Sequence, residues 1–160
     1  MSKPKNIVVL ALLTAVSLIL FAVELQIPPI TPIPHIKIGL ANTVTLFILY
    51  KKGFGGADAV FVVIARVLLA SLVTGSLFSL LFSFSGGIVA VLVMTSLKKL
   101  FPPPVTSVAG ALAHNLMQVA VAVFIYGGFG VLIYLPALVL GGIIAGLLTG
   151  FTMTIILSRL

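Results

Sequence analysis

A chain of 160 residues that is 61% hydrophobic and only 7% charged, with a mean hydropathy of +1.39, lacks the polar side chains needed to cover a water-facing surface. That excludes a soluble domain and makes residues 1–160 a single integral membrane domain. The net charge of +7 is no nucleic-acid footprint, because the basic residues sit at the ends of apolar runs rather than along one stripe. With no Cys, there is neither a disulfide framework nor a thiolate metal site.

The charges fall in clumps: Lys3 and Lys5, Lys51 and Lys52, Lys98 and Lys99, then Arg159. About 46 residues separate the first three clumps and about 60 the last two, so each gap holds two spans of ~20 residues. Span one runs from Ile7 to Leu25. Its basic start resembles a signal peptide, but it is long for one and lacks a small-x-small cleavage site before Glu24, so it reads as a retained span. It ends at four prolines within seven residues, Pro28 to Pro34, which remove backbone donors and enforce extended geometry. Span two, Ile38 to Tyr50, has 13 residues and falls short of a ~30 Å hydrocarbon core. Snorkelling lysines or local thinning must help it across.

Gly53 to Gly56 form a turn into span three, Ala57 to Val73, and Thr74-Gly75-Ser76 turn into span four, Leu77 to Leu97. The prolines at 102–104 break the chain before span five, Val105 to Tyr126, and Gly127 to Gly130 return it into span six, Val131 to Leu157, with Pro136 near its start. An all-α bundle of six transmembrane helices follows. An even number of crossings keeps the lysine clumps on one side, with Lys37 opposite and Arg66 within a span, so the positive-inside rule puts both termini in the cytoplasm of a multi-pass cell-membrane protein. Gly142, Gly146 and Gly150 recur every four residues and give a flat face for helix packing, and Ser76, Ser79, Ser83, Gly87 and Ala90 suggest the same on span four.

Ionisable groups inside spans are costly and therefore informative. Arg66 stays charged and needs an anion or a ring of acceptors. It is either structural, satisfied by Glu24 or by carbonyls, or it holds an anionic ligand. Asp58 is eight residues away on the same helix, ~12 Å along the axis, too far for direct pairing. His114, Asn115 and Gln118 share one helix face, as a clamp between helices or as the wall of a ligand pocket. His35, Lys37 and Asn42 stand at the entrance to span two, where Lys37 marks the membrane boundary or, with the other two, closes an outward pocket under the proline loop. One His in each place and no nearby acid make a metal site improbable.

With Glu24 and Asp58 as its two acidic residues, the chain cannot build the aspartate-rich magnesium clusters of prenyl-diphosphate chemistry, nor a carboxylate pair for hydrolysis. It also has no G-x-x-x-x-G-K-[ST] loop. The expectation is a protein without catalysis or cofactor of its own, so that any ATP hydrolysis comes from a partner.

Several ordered motifs carry a resemblance: Ile36 to Asn42, Arg66-Val67-Leu68-Leu69, Thr74 to Ser79, Ser85-Gly86-Gly87, and Ala113 to Gln118. Together they resemble the Gx transporter family, which also carries the label heptaprenyl diphosphate synthase component I. The resemblance implies a fold similar to the substrate-binding S components of energy-coupling factor (ECF) transporters. In those, small residues spaced as A-x-x-x-A on the first span dock a transmembrane coupling subunit, and the loop after that span covers the substrate. Ala11 and Ala15 match the spacing, with Ala22 two turns on, and the proline-rich loop takes the lid position.

Two functions remain open at this stage. One is a membrane substrate-binding or transport component that captures a small anionic molecule from outside, with Arg66, His114, Asn115, Gln118, Lys37, Asn42, Glu24 and His35 as candidate ligand residues. It would work with a coupling protein and ATPases or by self-association. The other is an accessory subunit of isoprenoid, quinone or membrane electron-transfer machinery. A membrane scaffold is a third and weaker reading.

Overall fold

The computed structural model describes residues 3–26 and 40–159. Among them every regular element is helical: α1 (Lys3–Gln26), α2 (Asn42–Tyr50), α3 (Gly56–Thr74), α4 (Leu77–Leu97), α5 (Pro103–Tyr126), a 3₁₀ segment (Phe129–Tyr134) and α6 (Leu135–Ser158). Five stretches are long and apolar enough to cross a membrane: Ile7–Gln26, Gly56–Thr74, Leu77–Leu97, Pro103–Tyr126 and Phe129–Ser158. The outward faces are studded with large apolar side chains such as Leu72, Phe124, Ile133 and Ile155. Lipid can accept such faces and water cannot.

The expected second span is where sequence and structure differ most. Its helix has nine residues, about 14 Å of rise, too short to cross alone. It is not a surface helix either, since Leu46 and Ile48 are fully buried. It packs against α1, α3, α4, α5 and α6 and forms the centre of the bundle. The long helices arrange themselves around it in the order α1, α3, α4, α5, α6, each packed on the next.

Span six also differs from its expected form. Residues 131–134 belong to the 3₁₀ segment, and the α-helix starts at Leu135 with Pro136 in its first turn. Proline has no N–H to give to a preceding turn, so it suits the start of a helix and not its interior. The other boundaries follow local chemistry. Gly75 and Gly127 adopt φ of 64° where α3 and α5 end, a left-handed closure that glycine takes without penalty. Ser76 opens α4 by accepting the Ser79 N–H at 3.1 Å. Asp58 accepts the Gly55 N–H at 2.7 Å, which occupies its carboxylate at the start of α3, away from Arg66.

The glycine face of α6 serves internal packing. A Cβ at Gly146 would lie 2.6 Å from the Val108 Cα, and one at Gly150 would lie 2.4 Å from the Pro104 Cα, so the α5 and α6 backbones meet directly. At the end of the bundle where α2 and α4 finish, the Lys98 ammonium donates to the Leu49 carbonyl at 3.1 Å. The Tyr50 hydroxyl donates to the Phe101 carbonyl at 2.7 Å and sits 2.7 Å from the Thr106 hydroxyl. These bonds bring the lysine pairs at 51–52 and 98–99 to the same end, as their shared sidedness in the sequence required.

Candidate functional site

A cavity of about 90 Å³ is lined from all six α-helices, the start of α2 included. Ser79 and Met94 both reach it from α4, about 22 Å apart along the axis, so it is an elongated slot.

The slot gathers the polar residues singled out in the sequence. Glu24 from α1, Asn42 at the start of α2, Arg66 from α3, and His114, Asn115 and Gln118 from α5 all line it. Arg66 and Glu24 are each only 7% exposed, and Glu24 acts electrostatically on the guanidinium. Among the described residues no side chain caps the N-terminus of α2, where the Thr43 N–H donates to the Leu40 carbonyl at 3.1 Å, and Ala41 and Asn42 there line the cavity. Helix N-terminal N–H groups and the helix dipole both favour an anion at such a place.

On α5, adjacent positions lie about 100° apart, so His114 and Asn115 diverge. His114 lies against Gly86 of α4 and Asn115 against Gly142 of α6. The Asn115 amide donates to the Leu138 carbonyl at 2.8 Å, which makes it a clamp between α5 and α6 as well as part of the cavity wall.

Not every expected residue is seen in the slot. His35 and Lys37 lie outside the described residues, as does the proline-rich loop. Ala11, Ala15 and Ala22 point outward from α1, away from the slot. Conversely, sequence reasoning missed the deep end. Ser107 and Thr149, each 4% exposed, face each other across α5 and α6 with their hydroxyls 2.6 Å apart. Ser79 and Ser83, which read as packing residues, line the opposite end. The missed signal was helical spacing: Ser107 stands seven residues before His114, and Thr149 seven after Gly142.

No metal cage is built here: among the described residues no three His, Cys, Asp or Glu side chains come together. What the slot offers is a buried guanidinium with a buried carboxylate near it, the start of α2, amide and hydroxyl groups, and apolar side chains that include Phe21, Phe82 and Met94.

A multi-pass helical membrane protein with a central slot that holds a buried arginine is the class that this architecture defines. The chain belongs to the heptaprenyl diphosphate synthase component I family, whose model matches residues 13–156. No curated protein and no solved structure matches it.

Proposed function

We propose that this chain is the substrate-binding component of a membrane transport system and that it takes a small anionic molecule into the central slot. The observation that carries this reading is Arg66, a buried cation facing a cavity that the start of α2 also lines. A fixed charge within a membrane is expensive, and a recurring anionic guest offsets that cost. His114, Gln118 and Asn42 supply donors and acceptors around the guest.

In this reading the protein lies in the cell membrane with both termini in the cytoplasm, and the span expected at 38–50, which ends in α2, makes the sixth, short crossing. The organisation is that of an ECF-type S component. Ala11, Ala15 and Ala22 lie on the outward face of α1, available to a transmembrane coupling protein rather than consumed by internal packing. Lys37 and His35 would add to the outer end of the site.

The family's label favours a second reading, a membrane accessory of polyprenyl diphosphate synthesis. The slot argues against its holding a prenyl chain. An apolar cavity of roughly 150 Å³ holds one benzene, whereas this one is about 90 Å³ and carries Arg66 and Glu24 in its wall. Nor do Glu24 and Asp58, at separate ends of their helices, provide the acid cluster for the chemistry. An accessory role would run through the protein's surface instead.

Purification from native membranes separates the two. Recovery with an ATPase and a coupling protein, together with a bound small anion, is the outcome expected for a transport component. Recovery with a soluble prenyltransferase and an empty slot would overturn that reading.

A further inference from the structure

Two glycines outside the predicted ligand set meet the slot's polar wall at close range. A Cβ at Gly86 of α4 would stand 2.9 Å from both the Cε1 and the Nδ1 of His114, and 3.0 Å from the His114 carbonyl oxygen. A Cβ at Gly142 of α6 would stand 2.9 Å from the Asn115 Nδ2, the atom that donates to the Leu138 carbonyl. Real side chains do not tolerate such distances, so each α5 side chain occupies the space that a Cβ would need.

We infer that Gly86 and Gly142 are positioning residues for the slot: each missing Cβ seats one of two adjacent α5 side chains, turning His114 toward α4 and Asn115 toward α6 with the cavity between them. Neighbouring glycines show that this is not general helix packing. Gly87, one residue on, meets the Val63 side chain at 2.9 Å, and Gly146 meets Val108 backbone. Neither holds one of the slot's polar side chains. The consequence for ligand choice rests on the binding role proposed above, but the seats themselves are tested without any ligand.

The test compares Gly86→Ala with Gly87→Ala in protein carrying isotope-labelled histidine, reconstituted in lipid. The chain has two histidines, so a His35→Gln background isolates the His114 imidazole signal. The expected result is a displaced signal in Gly86→Ala and an unchanged one in Gly87→Ala, although the two added methyls meet equally close contacts. An unmoved signal in Gly86→Ala, or an equal shift in both variants, overturns the inference. If Gly86→Ala does not fold, the double variant Gly86→Ala with His114→Ala decides. Removing the ring should restore a fold as stable as His114→Ala alone, whereas a double variant that still fails would make Gly86 a backbone-packing residue. Gly142→Ala with Asn115→Ala gives the same comparison for the second seat.

Discussion

At the scale of single residues, Arg66 organises the interpretation. A buried cation kept for stability should be missed when it is removed, whereas one kept for a ligand need not be. Replacing a buried charge pair by neutral groups of similar size is often neutral or stabilising. The double variant Arg66→Met with Glu24→Gln is therefore expected to melt within about 1 kcal/mol of the parent in detergent while losing the ligand. A loss of several kcal/mol would make the pair structural. Arg66, Glu24, His114, Asn115 and Gln118 were legible in the sequence because charged and amide side chains are conspicuous in apolar spans. Ser107 and Thr149 were not, since small hydroxyls bond the preceding turn, as Thr149 does with the Ala145 carbonyl at 3.0 Å, and so pass unnoticed in apolar helices.

At the scale of elements, the glycines of α6 set how closely two backbones approach. Gly150→Ala would drive a methyl into the Pro104 Cα and is expected to cost about 1–3 kcal/mol of stability in a thermal melt. Gly130, which has nothing within 4 Å of its would-be Cβ, supplies the control and should stay within about 0.5 kcal/mol when changed to Ala. Equal effects at both positions would contradict the packing described for α5 and α6. Four long spans were legible nearly to the residue because Lys, Gly and Pro punctuate them. The 3₁₀ start of the last one was not, since its residues are as apolar as the helix that follows. The shortness of this span was visible in the 13 residues from Ile38 to Tyr50, but its central position was not. An apolar run of that length reads alike whether it faces lipid or neighbouring helices.

At the scale of the whole molecule, α2 connects topology to function. This short central helix packs on all five long ones, and its start, at Ala41 and Asn42, lines the slot. The charge clumps in the sequence placed the lysine pairs on one side, and the bonds from Lys98 and Tyr50 join those ends physically. The chain has no native Cys, so single cysteines give a clean test of sidedness. Cysteines at Lys52 and Lys99 should label from the cytoplasmic side and one at Gly128 from outside. Labelling of positions 52 and 99 from outside would contradict the proposed six crossings.

The most direct measurement is native mass spectrometry of the purified protein beside its Arg66→Ala variant. The expected result is a small anionic molecule bound to the parent, and occupancy reduced by roughly ten- to hundred-fold in affinity in the variant, the worth of about 1.5–3 kcal/mol for a charge-assisted contact. A parent that carries no anion, or an anion held equally well without Arg66, would contradict a ligand site in the central slot.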